Sequence, residues 1–278
     1  MRRGLARMLA ALALLLAGPG VAWAQDAIPS CYGAARLGVA PPPPDQAVFI
    51  LVDQTTALDA NMRQTLADNL QRLLRNGTTF SIATFSAFSR GHYTTVISSG
   101  RIEGPVPRHL RPNLPVIRLN ALDRCLARQV GYARQVAGRA LARATNVPST
   151  LFANSEIMAS LAQLSELVRA APTRNRIVIV ASDLMEHSGA TSFYARRTLR
   201  TINAGAELAN AQRLRLMGDF GGARVYVVGT GLLPSEARQA VRNSAAFTAL
   251  VDFWTLWFGR ARASSVVIGR PNLVNPVR

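Results

Sequence analysis

Apolar residues in this chain fall into short solid runs separated by longer stretches with a helical stripe. "AVFILVD" (47–53) is apolar without alternation up to its final aspartate. Such a run predicts a strand buried on both faces, as in a parallel sheet. After it, Leu58, Met62, Leu66, Leu70 and Leu73 recur at helical spacing and predict an amphipathic helix. "TFSIATFSAF" (79–88) predicts a second strand and "HYTTVISS" (92–99) a third. The link between them is too short for a crossover helix, so the third is expected antiparallel at an edge.

Residues 100–120 hold four prolines and two glycines, and predict an irregular segment that is a candidate contact surface or an edge wrap. A helix is expected from Ala121 to Ala144, with Leu122, Cys125, Leu126, Ala133 and Val136 on one side. Beyond "TNVPSTLFAN", Ile157, Leu161, Leu164 and Val168 mark another buried stripe. "RIVIVASD" (176–183) repeats the first pattern, a solid apolar run ending in aspartate. Residues 190–218 read as mostly helical and arginine-rich. "ARVYVVGTG" (223–231) is a further buried strand. Pro234 and Ser235 open a helix carrying Val241, Phe247, Leu250, Val251, Trp254 and Phe258, and "SSVVIG" (264–269) closes the series. Strands alternating with helices predict an α/β fold: a Rossmann-like doubly wound, mostly parallel sheet in a three-layer α/β/α sandwich.

The first residues depart from this pattern. "MRRGLARMLAALALLLAGPGVAWAQ" has Arg2, Arg3 and Arg7, an apolar run and then Ala22-Trp23-Ala24, the layout of a secretory signal cut after Ala24. An uncleaved anchor is the alternative. The reading is therefore a signal peptide at 1–24, a proline-rich N-terminal segment at 25–46 and one domain at 47–278. The protein is expected in the periplasm or otherwise exported, with no transmembrane segment in the mature chain. In an oxidising compartment Cys31 and Cys125 are expected to form a disulfide. The alternative is a buried free Cys125 and a mobile Cys31.

The formal net charge is +17, and the chain has no lysine, so arginine carries all of it. That favours anionic partners, above all a protein with an acidic contact surface. Nucleic acid is disfavoured, because the arginines are spread along the sequence and no recognisable reading helix is present. Without lysine a GK[ST] phosphate loop is impossible, and neither a G-x-S-x-G elbow nor a G-x-G-x-x-G turn follows a strand. No catalytic motif is found.

Two aspartates end apolar strands. In an open parallel sheet, ligands bind beyond the carboxyl ends of the strands, where strand order reverses. If the two strands are neighbours there, Asp53 and Asp183 converge and repel unless a proton, donor or cation intervenes. A hard cation such as Mg2+ would suit them. Here the chain resembles the von Willebrand factor A-like family over roughly residues 47–269. That family carries a metal-ion-dependent adhesion site with a DxSxS motif, matched in kind by Asp53 and Thr55 in "DQTTA", where Ala57 replaces the last hydroxyl. The resemblance places Ser155 of "NSEIMASL" at the second loop and Asp183 at the third. It implies a degenerate site for Mg2+ or Mn2+ built from Asp53, Thr55, Ser155 and Asp183, and a non-enzymatic protein–protein contact in an envelope, secretion or conjugation assembly.

Plainer roles stand beside these. Thr56 would cap the first helix with Asp59 as a weak capping box, Asp53 would accept backbone N–H groups there, and Asn154 or Ser155 would cap the later helix. Asp183, Glu186 and His187 would form either a small metal patch or a solvated loop. Trp254 and Trp257 are expected in the core, with an exposed docking pair as the alternative. Two other functions remain open. A metal-assisted hydrolase needs a further ligand near Asp53 and an apolar cleft above it. An arginine-rich structural protein on nucleic acid or anionic lipid needs one continuous arginine face.

Overall fold

A computed structural model describes residues 28–89, 92–146, 154–195, 198–232 and 245–278. The expected signal at 1–24 and the helix opening at Pro234, with Val241, lie outside the described residues. Strand β1 (Gln46–Asp53) is buried along its whole length, as its unbroken apolar run requires. It pairs in parallel with β2 (Thr78–Ser89) on one side and β4 (Arg176–Ala181) on the other. β3 (His92–Ile102) pairs antiparallel with β2 at one edge. At the other edge β7 (Arg224–Val228) and β8 (Ser265–Ile268) follow β4 in parallel. The order is β3-β2-β1-β4-β7-β8, so the winding reverses between β1 and β4. A small separate pairing joins β5 (Tyr194–Ala195) to β6 (Thr198–Leu199).

Alternation along β1 divides the core into two layers. Ala47, Phe49 and Leu51 face α4 (Ile157–Ala170), α5 (Ala204–Arg213) and α6 (Ala245–Arg260). Val48, Ile50 and Val52 face α2 (Ala60–Leu73) and α3 (Val116–Thr145). The first layer is aromatic: Trp254 and Trp257 are fully buried among Phe193, Phe220 and Phe258, which answers the choice between core and docking pair. The second layer is mostly aliphatic, and α3 meets it through Ala133, Ala137, Ala140 and Ala144. The sandwich is the doubly wound α/β fold expected from the sequence.

Residues 28–46 do not hang free. Helix α1 (Cys31–Ala35) buries Cys31 and Tyr32 against Leu119, Leu122 and Leu126 of α3. The buried Glu103 carboxylate accepts the Cys31 N–H at 2.7 Å and the Tyr32 N–H at 3.3 Å, which satisfies the start of α1. A disulfide joins Cys31 to Cys125 across a separation of 94 residues.

Two local expectations are corrected. α3 begins at Val116 rather than Ala121, because Pro115 serves as its N-cap and the prolines before it lie outside the helix. Residues 190–218 are not mostly helical. The β5–β6 pairing occupies their first part and α5 covers only Ala204–Arg213, with Phe193 buried against Phe253 and Trp254. Among the described residues no helix is long and apolar enough to cross a membrane.

Candidate functional site

Strand order reverses between β1 and β4, and the residues that follow both strands meet at their carboxyl ends. Asp53 is the last residue of β1 and is 1% exposed. Its Oδ1 accepts the Thr55 N–H at 2.9 Å, with the Thr55 hydroxyl at 2.5 Å. Its Oδ2 accepts the Ser182 hydroxyl at 2.7 Å and lies 3.4 Å from the Ser155 hydroxyl. The Thr55 and Ser155 hydroxyl oxygens are 3.1 Å apart. Asp53, Thr55 and Ser155 thus meet although about a hundred residues separate them in sequence.

Ser155 is held from two sides. Its backbone exchanges two 2.9 Å hydrogen bonds with His187, and the next N–H, of Glu156, donates to Ser86 O in the last part of β2. Asp183 follows β4 and joins the same rim. Its own N–H donates to Thr56 Oγ1 at 3.0 Å, its Oδ1 accepts the Met185 N–H at 2.8 Å, and the Tyr194 hydroxyl lies 3.5 Å from Oδ2. The Asp183 carbonyl accepts the N–H of Gly231, whose φ of 66° a side chain would strain.

Leu184, next along, takes φ 61°, an uncommon conformation for a branched residue that costs on the order of 1–3 kcal/mol. The aromatic layer holds it there: Leu184 is fully buried and its carbonyl accepts the Trp254 indole N–H at 2.9 Å. The rim is therefore braced by the core behind it.

Burial raises the Asp53 carboxyl above its ordinary pKa, against the pull of the hydrogen bonds from Thr55 and Ser182. Asp183 is raised further, first by burial and then by the Asp53 charge. Burial, followed by the charges of Asp183 and Asp53, raises Tyr194 as well. Such a pair favours a shared proton or a cation between its members.

The donors at the rim suit a divalent cation in kind. Two carboxylates and two facing hydroxyls are hard oxygen donors, the chemistry Mg2+ and Mn2+ prefer. The mutual repulsion of Asp53 and Asp183 is what a cation would relieve. Ala57 is exposed and brings no oxygen, and the Thr56 hydroxyl is committed to Asp183 N–H. The residues present fit a cation with one protein ligand fewer than the DxSxS pattern supplies.

The plainer capping roles are corrected. Asp59, not Thr56, caps α2, accepting the Met62 N–H at 2.9 Å. Asp53 accepts Thr55 N–H in a tight turn before the helix, whose first residue is Ala60. Neither Asn154 nor Ser155 caps α4: Glu156 is its N-cap and makes no side-chain cap bond. Glu186 reaches across to do this work, accepting the Met158 N–H at 2.9 Å. Its carboxyl is buried and pushed up to about 7.

Asp183, Glu186 and His187 are therefore neither a metal patch nor a solvated loop. The first faces the rim, the second faces α4, and the exposed His187 pairs its Nδ1 with Ser192 Oγ at 3.0 Å. Among the described residues no three His, Cys, Asp or Glu side chains gather as metal ligands. A cavity of about 460 Å3 lies near the amino ends of β1 and β2, lined by Ile28, Phe80, Gly100 and Leu167, at the sheet end away from Asp53.

Sequence reading missed Ser182 and the capping role of Glu186. Ser182 carried a signal, as a small hydroxyl immediately before a strand-end aspartate. Glu186 carried none, because its partner helix begins far upstream.

No family model and no curated protein matches the chain. Solved structures similar to it include an aerotolerance-related membrane protein from Bacteroides fragilis NCTC 9343. That match has 11% identity and a TM-score of 0.37, and covers 80% of this chain and 90% of the other. The PilB minor pilin from Streptococcus sanguinis is similar at 11% identity and a TM-score of 0.42, over 84% of this chain and 59% of the pilin. The SpRpn10 VWA domain is similar at 10% identity and a TM-score of 0.35, over 80% and 86%. The fold is a doubly wound, mostly parallel α/β sandwich, with Asp53 and Asp183 brought to one rim where the winding reverses.

Proposed function

We propose that this is an exported, non-enzymatic protein-binding domain that grips an acidic group of its partner at the Asp53–Asp183 rim. The observation that carries the reading is the convergence of two buried carboxylates with the Thr55 and Ser155 hydroxyls from three separate loops. Burying two like charges side by side costs free energy, and a fold that needed only a strand end would not gather them. Thr55, Ser155, Asp53 and Asp183 would hold Mg2+ or Mn2+. The metal would supply a positive point to which a partner carboxylate binds. The arginine-only basic charge favours the same kind of acidic partner.

The Cys31–Cys125 bond supports a setting outside the reducing cytosol, and with the N-terminal pattern it favours an envelope or secretion-related assembly. Affinity capture from envelope extracts of the source cells tests the reading. A specific partner is expected to be retained with Mg2+, released by chelator, and lost with Asp53→Ala. Retention unchanged by both treatments would refute the assignment of the rim.

A further inference from the structure

Helix α3 has 30 residues and is about 45 Å long. Its inner side packs through Leu119, Leu122, Leu126, Ala133 and Ala137. Its outer side has a different composition. At about 100° per residue, Ile117, Arg124, Arg128, Tyr132, Arg139 and Arg143 fall within about a third of the circumference, and all six are exposed. Among the described residues, none of these four arginines has a hydrogen bond or an ion pair.

Arginines just off this line are occupied. Arg134 donates to Leu74 O at 3.1 Å and Arg118 to Arg36 O at 2.8 Å. Asp123, the only acidic residue of α3, is paired with Arg111 at 2.7 Å. The outer line is left with uncompensated positive charge that repels itself along the helix.

The line ends in an apolar first turn: Ile117, on the line, is 84% exposed, and Val116, to its side, 69%. No residue from Gly104 to Leu122 is acidic. The disulfide at Cys125 ties α1 to α3 about two turns beyond this tip.

We propose that the outer face of α3 lies on an anionic lipid bilayer, with its arginines on lipid phosphates and Val116 and Ile117 in the headgroup–acyl boundary. A straight row of guanidinium groups matches a plane of phosphates, and each fork can take a phosphate through two N–H groups. The apolar tip separates this partner from nucleic acid, whose phosphate backbone offers aliphatic side chains nothing to bury against. It matches the combination of apolar insertion and basic charge by which proteins bind at interfaces. Tyr132, midway, has the amphipathic ring favoured at that depth.

The test is co-sedimentation of the purified chain with vesicles of phosphatidylcholine alone or mixed with phosphatidylglycerol. Binding is expected only to the mixed vesicles and is expected to be lost at high salt. Each arginine at an anionic surface contributes about fivefold in affinity, so R124E/R128E should weaken binding by at least about 25-fold. V116S/I117S should also weaken it while leaving retention on heparin unchanged. Unaltered thermal melting of both variants would show that the fold is kept. Wild-type protein that ignores phosphatidylglycerol, or R124E/R128E that binds as wild type, overturns the proposal. So does tighter binding to duplex DNA that is indifferent to V116S/I117S, which would make nucleic acid the partner.

Discussion

At the rim, negative charge is buried, and the atoms around it are tied down: Asp53 holds Thr55 and Ser182, Asp183 holds Met185, and burial together with the Asp53 charge raises the Asp183 pKa. Along the outer line of α3, positive charge is exposed, and Arg124, Arg128, Arg139 and Arg143 have no hydrogen bond or ion pair among the described residues. The first arrangement costs stability and is specific in geometry. The second costs little and is specific only in sign. A fold can place both on one chain because the aromatic layer braces the rim through Trp254 and Leu184, while α3 rests on alanines that ask little of its outer face. Changes at the rim should therefore alter stability and pH dependence, and changes on the stripe should alter binding alone.

The strongest way to disturb this contrast is at the end of the stripe that is covalently held. Replacing Cys31 and Cys125 by serine removes a cross-link over 94 residues, and should lower unfolding free energy by about 4–5 kcal/mol in the chain-entropy picture. Denaturant titration measures it, and an unchanged midpoint would mean that α1 docks without help from the bond.

Next comes Glu186, behind the rim. Its folded pKa of about 7 exceeds the ordinary 4.5, so the folded state holds its proton more tightly. The stability linked to this group is fully present below about pH 4.5 and is lost as pH rises through about 7. Glu186→Gln keeps an acceptor for Met158 N–H and removes the charge. It should gain on the order of 3 kcal/mol at pH 8 relative to wild type, and nothing at pH 4. Melting curves across that range check the sign.

Asp53→Asn acts at the rim itself. It removes the charge that raises Asp183, so NMR titration should find the Asp183 carboxyl at lower pH than in wild type. Stability at neutral pH should rise by about 1 kcal/mol, and cation affinity should fall at least about tenfold. The smallest effect is expected on the stripe: R124E/R128E should move unfolding free energy by no more than about 0.5 kcal/mol. A larger loss would mean that these side chains serve the fold, and the contrast would fail.

The sheet was legible because its strands are buried on both faces. "AVFILVD" and "RIVIVASD" leave solvent no side to occupy, and β1 and β4 lie side by side at the centre. Asp53 and Asp183 were legible for the same reason, since a carboxylate ending such a run must lie at the sheet's rim. What escaped depends on contacts between distant segments. Glu186 looked like part of a solvated loop because the α4 amides it serves begin at Ile157, a separate stripe in the sequence. The helical reading of 190–218 failed because Phe193 is drawn under α6 by Phe253 and Trp254, which pulls the chain into the β5–β6 pairing. Arginines that look scattered in sequence become a line once α3 is known to run without a break from Val116 to Thr145.

Calorimetric titration of the wild-type chain with Mn2+ at pH 6 and pH 8 tests the rim most directly. Saturable heat is expected, with tighter binding and less proton release at pH 8, because the raised carboxyls must lose a proton before a cation can replace it. The same titration of Asp53→Asn should be flat. No heat from wild type at either pH, or equal heat from the variant, would contradict the claim that these carboxylates form a cation-dependent contact.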